Sequence, residues 1–267
     1  RLIDFALSNM VNSGIEKVGV ITKSNYQSLM DHLGTGKPWD LSRKTEGMFI
    51  LPPFSSAGNR GNYINRVEML RGITGFIGRS NEDYILFSDC NSVLNIDVDE
   101  LMDFHTDNNA DISIVYKHGV QPQLDNTMTL RLGDDGRVEQ IAVSPNALGE
   151  VDYSLNMILM KRSLLQRLVR EALSMNQESF ERDILQRNTE KLRIFGFEAK
   201  GFARTIDSMV SYFRISMELL NPDNCAELFN ADRPVYTKVR DDMPAIYGLG
   251  STVKNSLIAN GCIIGGE

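Results

Sequence analysis

The sequence reads as an α/β fold, on three observations. Within residues 4–34 a helical pattern, a short apolar strand and a second helical pattern follow one another, the alternation of crossover-connected α/β units. Tyr84–Phe87 is an unbroken apolar run that breaks into small polar residues at Ser88–Ser92, which predicts a strand buried on both faces of a parallel sheet. Near the C-terminus, apolar residues recur six apart, Leu257 with Ile263 and Ile258 with Ile264, with small Ala259, Gly261 and Gly265 between them. A six-residue period is that of a β-helix coil with three short faces per turn.

The elements follow in order. Phe5, Leu7, Met10 and Val11 give the first helix, Asp4–Asn12, with Gly14 placed to end it. Val18–Thr22 is a short strand, and Ser24 caps a helix carrying Tyr26, Leu29 and Met30 that stops at Gly34. Thr35–Thr45 is a polar connection, Met48–Leu51 a strand, and Ser55–Gly61 a mobile loop by composition. Ile64, Val67, Leu70, Ile73, Phe76 and Ile77 keep helical spacing. After the central strand come a helix over Val98–Asp107 and a strand over Ile112–Tyr116. Thr127–Leu132 and Val138–Val143 alternate around Asp134-Asp135-Gly136, a hairpin that adds antiparallel strands. Leu155–Met160 is a strand, Ser163–Met175 an amphipathic helix, Phe180–Leu185 a shorter helix and Leu192–Phe197 a strand. Met209–Leu220 reads as a helix whose Tyr212, Phe213, Ile215, Met217 and Leu219 form a core face. Beyond Pro222 the chain becomes an extended linker, rich in proline and acid over Asn230–Pro244.

Composition narrows the partners. The 267 residues are 42% hydrophobic and 24% charged, ordinary for a globular chain with a sizeable core. A net charge of −7 argues against nucleic acid or an anionic membrane as the main partner. No apolar run approaches the ~18 residues of a membrane span, and no signal peptide opens the chain. Cys90, Cys225 and Cys262 are too few and too scattered for a disulfide framework, so a cytoplasmic location with reduced thiols is expected.

Ligands of open α/β sheets bind at the carboxyl ends of strands, which points to the residues after Phe87. Arg1-Leu2-Ile3-Asp4-Phe5-Ala6-Leu7-Ser8-Asn9, followed by Asn12-Ser13-Gly14-Ile15, resembles the bacterial glucose-1-phosphate adenylyltransferases, the ADP-glucose pyrophosphorylases. Pro234-Val235-Tyr236-Thr237 and the tail from Asn255 to Ile264 resemble the same family's linker and the start of its β-helix. The resemblance implies a Rossmann-like nucleotidyltransferase domain over 1–222, with a mixed sheet and helices on both faces. It further implies a linker over 223–250, the start of a left-handed β-helix over 251–267, and a tetrameric assembly in glycogen synthesis. The family's glycine-rich triphosphate loop would precede Arg1.

The family's catalytic residues do not carry over. Its Gly-Asp-His-(apolar)-Tyr-Lys-Met-Asp aligns with Cys90–Asp97, so its metal-binding Asp is Asn91. Its Phe-Val-Glu-Lys-Pro aligns with Ile141–Pro145, so the Lys that holds the sugar phosphate is Ser144. Its Trp-Arg-Asp-Val-Gly-Thr aligns with Ala203–Ser208, so the second metal-binding Asp is Thr205, while Arg204 is kept. A scaffold with emptied catalytic positions resembles the GlgD-type regulatory subunit, which partners a catalytic subunit. That implies no intact catalytic set, no strongly bound cofactor and a possible sugar phosphate or nucleotide effector held by Asn91, Ser144, Asn156 and Arg204. The alternative is an active enzyme that holds Mg²⁺ with Asp89 and Asp207, each two residues from an emptied position and so on the same side of a strand.

Blander readings cover the other candidates. His32, His105 and His118 lack a second ligand at metal spacing, and His32, beside Asp31, reads as a surface or half-buried histidine. Cys90 reads as a small core residue rather than a nucleophile.

Overall fold

The computed structural model describes residues 1–22, 26–52, 65–144, 147 and 149–265. The expected cap Ser24, the stretch Ser55–Gly61, Ile64 and Pro145 lie outside the described residues. Helix α1 (Leu2–Asn12) runs into Gly14 at φ +69°, a left-handed conformation open to glycine without a Cβ clash. Strand β1 (Lys17–Ile21) pairs in parallel with β2 (Gly47–Leu51). Between them lie α2 (Gln27–Leu33) and a 3₁₀ turn at Lys37–Trp39. The polar connection is more structured than its composition suggests, because Trp39 and Leu41 are buried there against Ile3, Leu7 and Val18.

The helix expected from Ile64 to Ile77 is two, α3 (Arg66–Gly72) and α4 (Thr74–Gly78). Asn65 caps α3 by accepting the Glu68 N–H, and Gly72 and Gly75 bracket the break where helix propensity is poorest. Strands β3 (Tyr84–Ser88) and β4 (Ser92–Leu94) and helix α5 (Val98–Asp107) come next. They are followed by β5 (Ile112–Val120), the hairpin β6 (Met128–Leu132) and β7 (Val138–Val143), and the long β8 (Glu150–Lys161). With β9 (Ile194–Glu198) these make a mixed sheet in the order β7-β6-β8-β5-β9, and β3 also lies against β8.

Tyr84–Phe87 does not sit in a parallel pair. It runs antiparallel to β8, Ile85 opposite Met160 and Phe87 opposite Ile158, and is half-buried. An apolar run records burial and carries no record of its neighbour's direction. The hairpin does match, with Met128 opposite Val143 and Gly136 at φ +78° in the turn. β8 starts at Glu150 rather than Leu155, and it bulges: Val115 faces Met157 while Tyr116 faces Ser154, leaving Leu155 and Asn156 between.

Helices cover both faces of the sheet. On one, α3, α4, α6 (Arg162–Ser174) and a π-helical turn at Phe180–Leu185 bury Leu70, Ile77, Leu165 and Ile184 against Ile112, Ile114 and Ile158. On the other, Leu101 of α5 packs with Val115, Met157 and Leu159. A short pair, β10 (Ala203–Thr205) antiparallel to β4, leads into α7 (Met209–Glu218). Of the core face expected on α7 only Ile215 is buried among the described residues, and Met209, Val210 and Phe213 are exposed.

The stretch read as a linker over 223–250 opens on a helix, α8 (Pro222–Leu228), whose Leu228 is fully buried with Val93, Phe202 and Ile215. Asn221 caps it through the Asp223 N–H, and Pro222 occupies the first turn, where no intrahelical donor is needed. Farther on, β11 (Ile246–Tyr247) and β12 (Ile263–Ile264) pair in parallel, seventeen residues apart along the chain. No helix among the described residues is long and apolar enough to cross a membrane.

Candidate functional site

The carboxyl end of β3, the start of β4, the β8 bulge and the end of β10 meet in one place. Ser92 lies opposite Thr205, their hydroxyls 3.2 Å apart, and the Ser92 hydroxyl donates to Leu155 O at 3.3 Å. The Ile206 N–H donates to Asn91 O at 2.8 Å, and the Asp89 N–H donates to Asn156 O at 3.3 Å. Four expected positions, Asp89, Asn91, Asn156 and Thr205, therefore gather at the end of the sheet. Asn156 holds φ +54°, which asparagine tolerates better than most residues. It is 4% exposed, and its Oδ1, like that of Asn91, is buried with no hydrogen-bond partner among the described residues. A buried polar atom left unpaired costs free energy, and such atoms mark places where a partner is missing.

Both fallback carboxylates are already engaged. Arg66, first residue of α3, donates from Nη2 to Asp89 Oδ1 and from Nη1 to Glu181 Oε1, the latter at 2.8 Å. Glu181 sits in the π-helical turn with only 6% of its side chain exposed. Asp207 accepts the Gln123 N–H at 2.8 Å and the Ser208 hydroxyl at 2.9 Å. Burial alone would raise the Asp207 carboxyl, but its hydrogen bonds with Gln123, Ser211 and Ser208 outweigh burial and hold it below the usual range.

Ser144 and Arg204 are not brought to this place. Ser144, exposed just past β7 at φ +52°, donates its N–H to Thr127 O at 2.7 Å and its hydroxyl to Asp125 O. Arg204 alternates with Thr205 along β10, so it points to the opposite side. There its Nε donates to Glu218 Oε2 at 2.8 Å and its guanidinium lies 5.0 Å from the Phe202 ring centroid.

The polar residues of the opening segment hold other parts of the chain. Asn9 donates to Leu94 O at 3.0 Å and accepts the Ile96 N–H at 3.1 Å, pinning β4. Asp4, Ser8 and Asn12, four residues apart and so on one helix face, grip the connector: Asn12 donates to Pro234 O, Ser8 accepts the Tyr236 N–H, and Asp4 accepts the Thr237 hydroxyl. Asn95 adds a bond to Arg233 O, and Arg233 pairs with Asp97. His32 is not a surface residue: it is buried, its Nε2 2.6 Å from Asp4 Oδ1 and its ring edge-on to Trp39. Burial pushes Asp4 up, but bonds from Thr237 and His32 dominate and its carboxyl stays low. Cys90 is exposed rather than a core residue.

Sequence reasoning missed Arg66 and Glu181, which lie 115 positions apart. The available signal was Glu181 itself, a carboxylate beside Phe180 and ahead of Ile184-Leu185 in an apolar turn, where a buried charge needs a cation.

Comparison with known proteins agrees with this architecture. A nucleotidyl transferase family model matches residues 1–147. Over its whole length the chain is 32% identical to the glycogen biosynthesis protein GlgD of Bacillus subtilis (strain 168), covering 68% of that protein. It is 36% identical to the GlgD protein of Geobacillus stearothermophilus, again covering 68%. Against the glucose-1-phosphate adenylyltransferase of Thermosipho africanus (strain TCF52B) the identity is 28%, over 65% of that protein. With this fold, these relatives and a family match over more than half its length, the chain belongs to the nucleotidyl transferase family.

Proposed function

We propose that this chain is the regulatory, non-catalytic subunit of a glucose-1-phosphate adenylyltransferase, serving glycogen biosynthesis beside a catalytic partner. The observation that carries the reading is the charge pattern at the sheet's end. Asn91 and Thr205 are neutral, and Asp89, the nearby carboxylate, is ion-paired with Arg66, which it shares with Glu181. Mg²⁺ in nucleotidyl transfer is held by one or two carboxylates together with substrate phosphates. The donor set here does not fit that ion. Metal stabilisation of the transition state is worth several kcal/mol, and each ~1.4 kcal/mol is a tenfold change in rate. The active alternative needs Asp89 and Asp207 free to face a cation, and each has other partners.

The same reading extends to the assembly. The parallel pairing of Ile246 with Ile263 supports a coil of three short faces, the start of a left-handed β-helix over 251–267 after a connector. A cytoplasmic hetero-oligomer, tetrameric as in the resembled family, fits this organisation. Effects on the partner are then a coupling free energy between sites, with a sugar phosphate or nucleotide as effector. The test is ADP-glucose formation by the purified full-length protein alone and with a catalytic subunit. Little turnover alone and altered turnover of the mixture are expected, whereas turnover alone near that of catalytic relatives ends the reading.

A further inference from the structure

Two carboxylates at the sheet's end are brought together by packing that does not involve their shared cation. Asp89 follows the last residue of β3, and Glu181 is the second residue of the π-helical turn at Phe180–Leu185. Phe87 of β3 and Phe180 of the turn meet edge to face, their ring centroids 5.8 Å apart. Phe180, Ile184 and Leu185 are buried in the core cluster against which Phe87 also packs. Apolar contacts thus fix the turn against β3, and they leave Glu181 one guanidinium away from Asp89.

Two negative charges held close together, one of them buried, need a positive charge between them. Arg66 supplies it, giving Nη1 to Glu181 and Nη2 to Asp89. A hard divalent cation asks for the same surroundings: oxygen ligands, one or two of them carboxylates, with water filling the remaining positions. The unpaired Oδ1 atoms of Asn91 and Asn156 lie at this end of the sheet and are oxygens of the kind such cations accept. Access is open, since the Asp89 and Arg66 side chains are both partly exposed. What keeps a metal out is the guanidinium, which occupies the two carboxylates and repels a second cation.

We infer that Arg66 is a built-in counter-ion closing a latent divalent-metal site made by Asp89 and Glu181, a site that opens when the guanidinium is removed. The inference rests on the reading of this chain as a non-catalytic subunit and adds a second barrier to metal beyond the neutral Asn91 and Thr205. The latent pair is not the Asp89 and Asp207 pair weighed above, because Asp207 is engaged by Gln123 and Ser208. Mg²⁺ and Mn²⁺ fit the latent site in charge and ligand type, since both are held by carboxylates and water. In the chain as it stands, any ligand at the end of the sheet binds without a metal beside Asp89.

Mn²⁺ titrated into the full-length protein tests this, followed by electron spin resonance of the free ion, by the thermal midpoint and by NMR. In the wild type the amide signals of Cys90, Asn156 and Glu181 are expected to stay sharp, with no change in the midpoint. Arg66→Met is expected to bind Mn²⁺ at least about tenfold more tightly than the wild type and to unfold at a higher temperature as Mn²⁺ rises, because an ion that binds only the folded form stabilises it. Glu181→Gln on that background should cancel both gains. Affinities of wild type and Arg66→Met within about twofold of each other overturn the inference, as does a gain that survives Glu181→Gln. If Arg66→Met folds only with Mn²⁺, the site is equally demonstrated, whereas failure to fold with the ion as without it counts against the inference. Metal-dependent turnover by the wild type alone would end the subunit reading. Broadening at Cys90 and Asn156 without turnover would end only the present inference.

Discussion

Deleting the guanidinium of Arg66 tests the charge argument most directly. Arg66→Met keeps the aliphatic stem and strips the cation from two carboxylates. Asp89 has 28% of its side chain exposed, so water takes over much of its solvation, whereas Glu181 has 6% and among the described residues retains a 3.4 Å contact from the Ser179 hydroxyl. Breaking a fully buried pair costs about 3–5 kcal/mol. Because Arg66 is itself 22% exposed, we expect about 2–3 kcal/mol, nearly all of it from Glu181. Denaturant unfolding of the full-length protein reads this loss as a lower midpoint at unchanged slope. Glu181→Gln on the Arg66→Met background should recover most of it, and the double-mutant cycle isolates the pair. A loss below about 0.5 kcal/mol, or no recovery with Glu181→Gln, refutes the reasoning.

Other predictions follow from the same geometry. Asn9→Ala leaves Leu94 O and the Ile96 N–H without their partner, and should cost about 1–3 kcal/mol in thermal or denaturant unfolding. Thr237→Val removes a bond that holds Asp4 low, so the Asp4 carboxyl should titrate higher by NMR, and the connector at 234–238 should be cut faster by protease. Burial, with a smaller push from Lys161, lowers the pKa of His105, so below the ordinary histidine value the unfolded chain binds a proton that the folded one does not. Stability should therefore fall as pH drops below about 6.5, with a slope of at most ~1.4 kcal/mol per pH unit from this residue, and His105→Gln should flatten that slope.

Much of the fold was legible because burial is written in periodicity. Val98–Asp107 is α5 to the residue, and the Asp134-Asp135-Gly136 turn announced its hairpin. Features set by distant pairing were not legible. Three-residue β4 and β10 are strands only because they find each other, and β3 lies antiparallel because β8 returns beside it. Proline at Pro222 suggested an end, whereas as the first residue of α8 it marked a beginning. At the site, the alignment picked out positions 91, 144, 204 and 205 and strand spacing added 89; the fold gathers 89, 91, 156 and 205 and leaves Ser144 beside Asp125. The alignment could not show that Arg204 points away or that Arg66 arrives from 23 residues upstream.

The grip of α1 on the connector sets unequal constraints on the two partners. On the connector side, Pro234 C=O, Tyr236 N–H and Arg233 C=O are main-chain groups, present whatever the side chain. On the other side, Ser8, Asn12 and Asn95 contribute particular side-chain atoms. Substitution at 235, or at 236 by any residue but proline, can therefore proceed without removing these bonds, while a single change at Asn12 or Asn95 slackens the strap. The polar residues that carry the family resemblance in the first fifteen positions thus serve, in this chain, to hold the connector against α1.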